Sequence, residues 1–194
     1  MAVIDFQIPA RNFELIRDRI GEILATEIAT QTLFTDVTVW SERKIPFTNE
    51  ELPIINILYD TTSYDSKHVG SKQGDNKYSI YAQYALPNTD SATGDVLGSK
   101  KAQKLAGVID YILAYEAFST LGFALGFIGA TIVDNITMGG MQEGDSNHTV
   151  TAKIDFTVKG VETTAQLQPL NAEGYTTQVK LNETEFGHKY TLNN

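Results

Sequence analysis

The sequence predicts an α+β fold: a mixed, mainly antiparallel sheet of about four to five strands, two main helices packed on it, long loops and a C-terminal arm. Three observations carry that prediction. Phe13, Ile16, Ile20, Ile23, Leu24 and Ile28 recur in steps of three or four, which lays one apolar stripe along a helix. Ala102, Leu105, Ala106, Ile109, Ile112 and Leu113 repeat that period farther on. Val150, Ala152, Ile154, Phe156 and Val158 alternate with Thr151, Lys153, Asp155, Thr157 and Lys159, the period of a strand with one buried face.

The first helix starts at Asn12, whose side chain is suited to capping, just after Pro9. Arg17, Asp18, Arg19, Glu22 and Glu27 fall mostly off its stripe, and polar β-branched residues end it near Thr30 to Thr32. Val37-Thr38-Val39-Trp40 alternates as a strand. Ser41 to Glu51 is a polar loop with Pro46. Pro53 to Tyr59 is almost continuously apolar, as in a strand buried on both faces. Asp60 to Asn76 is polar, with Gly70 and Gly74, and reads as a long hairpin loop or an excursion. Lys77 to Leu86 is a strand with Tyr78, Ile80, Ala82 and Tyr84 on one face.

Pro87 to Gly98 reads as a turn-rich linker, and the second helix as Ser99 to Ala117, with Glu116 at the edge of its stripe. On those bounds Lys100, Lys101 and Lys104 crowd the first turns, against the helix dipole. Phe127 to Met138 and Thr149 to Val161 form an antiparallel hairpin around the acidic, glycine-rich loop Gly139 to Asn147. The composition turns polar from Glu162. The division expected is a core domain over 1–161 and an arm over 162–194, too poor in apolar residues for a core of its own.

Bulk properties narrow the function. The 194 residues carry a net charge of −9, which argues against a general nucleic-acid binder. There is no cysteine, so thiolate chemistry and disulfides are excluded. The start lacks the basic and apolar regions of a signal peptide. The uncharged stretch Ala117 to Val133 is slightly short for a membrane span and is interrupted by Gly122, Gly126 and Gly129. A cytosolic origin is the expectation.

Catalytic constellations are not legible. His68, His148 and His188 stand in separate segments, and pairing His68 with Asp65 or His148 with Asp145 supplies too few ligands for a metal. The Gly122 to Gly129 run has the wrong spacing for a dinucleotide fingerprint and enters a strand instead of leaving one. No G-x-S-x-G elbow or phosphate-binding loop occurs. Asp110 and Glu116 fall on different helix faces. The expectation is no catalytic, cofactor-binding or metal site. Tyr59, Tyr78, Tyr81 and Tyr84 cluster on two neighbouring strands, where they serve either sheet packing or a protein interface.

The order helix, three strands, helix, hairpin resembles the tail terminator (tail completion) proteins of long-tailed bacteriophages. The resemblance is carried by the helix Phe13 to Ile28, the run Pro53 to Tyr59 after the strand holding Trp40, the helix Ala102 to Leu113, and the closing segment from Asp134 through Glu143-Gly144-Asp145 to Val158. It covers roughly residues 10 to 161 and is a pattern of elements with no single specific motif. It implies a structural virion protein of the tail or neck, assembled in the host cytoplasm, that forms a hexameric ring, caps the tail tube, stops its polymerisation and offers a surface for head joining. The partners implied are a second copy of itself, the tail tube protein, the head-side connector, and a sheath protein where the tail is contractile. DNA would be passing cargo in the lumen, and no membrane is involved. The rival readings are another neck or connector ring subunit, or a small cytosolic ligand-binding domain or enzyme. The interface residues expected are Trp40, Lys44, Tyr64, His68, Lys100, Lys101, Lys104, Glu143 and Asp145.

Overall fold

The alternating run of the last hairpin is the strand that organises the sheet. In the computed structural model this strand, β6 (Asn147–Thr163), lies beside β3 (Ser71–Pro87) along its whole length and beside β4 (Ile128–Met138) on its other side. The structure describes residues 10–68, 71–87, 91–124, 126–139, 142–143 and 147–163, all within the compact unit Ala10–Thr164. The strand order is β1 (Thr38–Ser41), β2 (Ile54–His68), β3, β6, β4, and a two-residue β5 (Gln142–Glu143) also pairs with β6. Only β1 and β2 run parallel, so the sheet is mixed and mainly antiparallel, and the fold is α+β as expected.

Register explains the core. Tyr78 lies opposite Phe156, Ile80 opposite Ile154, Ala82 opposite Ala152 and Tyr84 opposite Val150, and all of these side chains are buried. Ile57 and Ile55 of β2 extend the same face by pairing with Ile80 and Ala82. Helices α1 (Asn12–Ala29) and α2 (Ser91–Ala114) cover that face, α1 above β1 and β2, α2 above β3, β6 and β4. Ile16, Ile20, Ile23, Leu24 and Ile28 come from α1 and Ala102, Leu105, Ala106, Ile109, Ile112 and Leu113 from α2, all in one cluster. Each fully buried aliphatic or aromatic chain contributes about 1.5–3 kcal/mol by leaving water, so this layer supplies most of the driving force. Ile54 and Asn56 are buried on the opposite face, which gives β2 the two-sided burial that its apolar run suggested.

Several local expectations are corrected. Asn12 is not the cap of α1. Arg11 caps it, with the Glu14 carboxylate accepting the Arg11 backbone N–H at 2.7 Å, while the buried Asn12 amide donates to the Val161 carbonyl at 2.9 Å and ties the helix start to β6. The segment Asp60 to Asn76 is not a loop. Its two halves extend β2 and β3, pairing from Thr61 with Lys77 out to His68 with Ser71. Threonine, serine and tyrosine suit a pleated surface, and the backbone ladder holds the ribbon together without a continuous apolar face. Helix α2 starts at Ser91 and not Ser99, so most of the expected linker is helix, and it ends at Ala114, with Glu116 exposed in a following 3-10 turn. Lys100, Lys101 and Lys104 therefore lie past the first turn, where the unfavourable dipole term has faded. β6 runs to Thr163, two residues past the strand end expected at Val161, and β5 lies within the loop expected at Gly139 to Asn147. Thr157, expected to point outward, is buried and donates to Asp134. The arm over 164–194 lies outside the described residues.

Candidate interface

Three surfaces of this frame carry exposed groups that the core does not use. The first grows from the end of β1. Glu42 takes a left-handed backbone conformation (φ 56°), which turns the chain off the sheet edge after Ser41. Its N–H still donates to the Ile57 carbonyl at 2.9 Å, and its carboxylate accepts the Tyr59 N–H at 2.6 Å. The segment that follows folds over the face away from the helices. The buried Asn56 side chain fixes it there by donating to the Arg43 carbonyl at 2.8 Å and accepting from the Arg43 N–H at 3.4 Å.

Arg43 gathers the rest of that surface. Its guanidinium stands 4.7 Å from the Trp40 ring centre and 4.2 Å from that of Phe47, and pairs with the Glu51 carboxylate at 2.7 and 2.9 Å. Cation–π contact and a two-point ion pair together pin a planar side chain between two rings. Glu51 also accepts the Thr48 N–H at 2.8 Å. The hydrogen bond from Arg43, with the Thr48 N–H next, lowers the Glu51 carboxyl from 4.5 to about 2. Trp40 is left 39% exposed and Ile45 74% exposed, on a segment held still by polar bonds.

A carboxyl whose value is lowered by folding adds stability above its unfolded value, and that contribution disappears as pH falls through the folded one. The Glu51 contribution is therefore complete above 4.5 and lost toward about 2. Trp40 is the only tryptophan and reports on this site directly. Its fluorescence should change in acid with a midpoint near 2, and the Glu51→Gln protein should lack that step. A step centred near 4.5 in the unsubstituted protein would mean that the Arg43 pair does not form.

The second surface is the solvent side of α2. Lys100, Lys104 and Tyr111 follow helical spacing away from the core, with Tyr115 just past the helix end. Among the described residues no carboxylate pairs with Lys100 or Lys104. Tyr111 is 71% exposed and stacks on Tyr115, ring centres 6.1 Å apart. Lys101 turns aside, its ammonium 5.6 Å from the Tyr84 ring. Burial, with the Asp36 charge second, pushes the Tyr84 hydroxyl up to about 12. The third surface is a groove between α1 and β1, lined by Asp18, Gly21, Glu22, Ala25, Val39 and Ser41.

The structure thus brings some expected interface residues together and separates others. Trp40 and Lys44 belong to the first surface and Lys100 and Lys104 to the second, while Lys101 packs toward Tyr84. Tyr64 is half-buried on the β2–β3 hairpin with the Lys72 ammonium 5.1 Å from its ring. The backbone of His68 pairs with Ser71 and that of Glu143 with His148, and neither side chain is described. Asp145 lies outside the described residues. Of the tyrosines, Tyr78 is core, donating its hydroxyl to the Phe13 carbonyl at 3.0 Å, and Tyr81 is half-buried on the opposite face. Sequence reasoning missed Arg43, Ile45, Phe47 and Glu51. It also missed Tyr111 and Tyr115, which their four-residue spacing off the α2 stripe could have revealed.

Among the described residues there is no group of three or more His, Asp or Glu able to hold a metal, and no helix long and apolar enough to cross a membrane. No protein-family profile and no curated protein matches the chain. A protein of solved structure without a functional name is similar to it at 21% identity and a TM-score of 0.43, over 74% of this chain and 93% of that one, a likeness too distant to bear on function.

Proposed function

We propose that this chain is a structural virion protein, a tail terminator that forms a hexameric ring on the finished tail tube. The ring would stop further polymerisation and present a face to the head-side connector, with a sheath protein as a further neighbour in a contractile tail. The observation that carries the reading is the order of elements on which the resemblance rests: a helix, strands, a second helix and a closing hairpin, with both helices on one face of the sheet. A ring subunit needs two unlike lateral patches, because a heterologous contact closes only when its rotation divides a full turn. It also needs axial faces above and below. The exposed groups of α2, the α1–β1 groove and the Trp40 segment, together with the β2–β3 hairpin, would supply them. The net charge of −9 suits a lumen through which DNA passes without sticking.

The test is particle mass in solution by light scattering, with negative-stain images, followed by addition to purified tail tubes. Six-fold rings that cap tubes and prevent their extension are the expected result. A protein that remains a protomer both alone and with tubes would overturn the reading. Rings that ignore tubes would favour another neck component.

A further inference from the structure

Two of the exposed surfaces are complementary in charge and spacing. Lys100 and Lys104 are one helical step of four apart, and so are Asp18 and Glu22 on α1. Four residues of helix rise ~6 Å, so the two pairs present charges of opposite sign at the same interval. Beside Asp18 and Glu22 the open groove of about 310 Å³ runs between α1 and the outer side of β1. Its lining includes Gly21 and Ala25, and the small, exposed Ala25 leaves room for a flat side chain. Gly21 is there because α1 comes close to β1: a Cβ at this position would sit 3.0 Å from the Ser41 Oγ. Tyr111 stands two turns beyond Lys104 on the other helix, ~10 Å along the axis, and is the flat side chain available.

We propose that the solvent side of α2 docks into the α1–β1 groove of a second copy of this chain, with Lys100 and Lys104 against the partner copy's Asp18 and Glu22 and the Tyr111 ring over its groove. The proposal rests on the ring reading and names the lateral contact. Self-pairing of α2 is disfavoured, because it would bring lysines against lysines. The contact is therefore between two different faces, the kind that builds a ring and not a closed pair. Asp18 and Glu22 are each already bonded within the chain, Asp18 to Arg17 at 2.7 Å and Glu22 to Arg19 at 2.8 Å, yet both side chains remain more than half exposed and keep acceptor capacity outward. Exposed ion pairs steer and orient more than they bind, so burial of the Tyr111 ring is the main source of affinity.

The test uses the full chain in two charge-reversed forms, K100E/K104E and D18K/E22K. Alone, each places like charges across the contact, and the concentration needed for assembly should rise about tenfold or more. Mixed in equal amounts, the two forms restore opposite charges at every contact, and alternating rings of the original mass should return. Y111A removes an exposed ring whose stacking partner Tyr115 is itself exposed, and should weaken assembly while the dissociated protomer unfolds at nearly the same temperature, which keeps the test valid if a reversed form folds poorly. Rings from either reversed form alone at the original concentration, or full assembly of Y111A, would overturn this contact and leave the ring reading standing. An unsubstituted chain that never assembles would overturn both.

Discussion

Phe156→Ala should lower the folding free energy by about 3–5 kcal/mol, a large share of the total for a domain of this size. Phe156 is 1% exposed and lies at the centre of the sheet, between Tyr78 of β3 and Val133 of β4 in register, under the helix layer. Its ring can be replaced only by moving strands that are paired on both sides. The cavity therefore persists, and the cost includes both the lost transfer energy and the unfilled volume. Urea unfolding should show a lower midpoint with an unchanged slope. Ile136→Ala is the matched control. Ile136 lies on β4 opposite the buried Ile154, yet is 41% exposed at the sheet edge, and its loss should cost about 1 kcal/mol or less. Equal costs at the two positions would mean that the helices do not cover β6.

The contrast between those two residues also marks what the sequence could reveal. The inward position of Phe156 is legible because Val150, Ala152, Ile154 and Val158 keep its period, and burial leaves that trace in the order of residues. The stripes of α1 and α2 were legible for the same reason. The outer half of the β2–β3 hairpin was not. Its residues Thr61 to Lys67 pair with Lys72 to Lys77 of β3, which pair in turn with β6, far away in the chain, and such pairing selects no apolar period. The first turns of α2 were hidden similarly, since Thr93, Gly94 and Gly98 read as a linker by propensity while the rest of the helix supplies the cooperativity that extends it. At the interface, Trp40 is legible as a candidate. Its companions Arg43, Phe47 and Glu51 come together only because Asn56, on another strand, fixes the path of the segment. No spacing rule encodes a contact made through a third residue.

Gly74→Ala should loosen the β2–β3 hairpin and leave the helix-covered core intact. Gly74 pairs with Tyr64 on one side and Gly160 on the other, beside the irregularity between Tyr64 and Ser66. A Cβ at this position would collide with the Ser63 carbonyl oxygen and lie 2.9 Å from the Tyr64 Cα. Both are backbone atoms, so no side-chain rotation relieves the clash and the strands must separate locally. Overpacking of this kind costs about 1–3 kcal/mol, and here it falls on the least apolar part of the sheet. The bonds nearest the clash are the Thr62 hydroxyl to Asn76 at 2.7 Å and the Asn76 amide to the Val158 carbonyl at 3.5 Å, and they should weaken with it. Hydrogen exchange is the measurement. Amides from Thr61 to Asn76 should lose protection, while those of Ile55, Ile57, Ile80 and Ala82 keep theirs, because the latter lie beneath the helices. Unchanged protection at Thr62 and Asn76 would mean that the hairpin does not close as described. The same protein separates two contacts of the proposed ring. Gly74 borders the start of α1 at Asn12 and Phe13 and none of the groove residues from Asp18 to Ala25, so Gly74→Ala should still form rings. If the hairpin is an axial surface, those rings should cap tail tubes poorly.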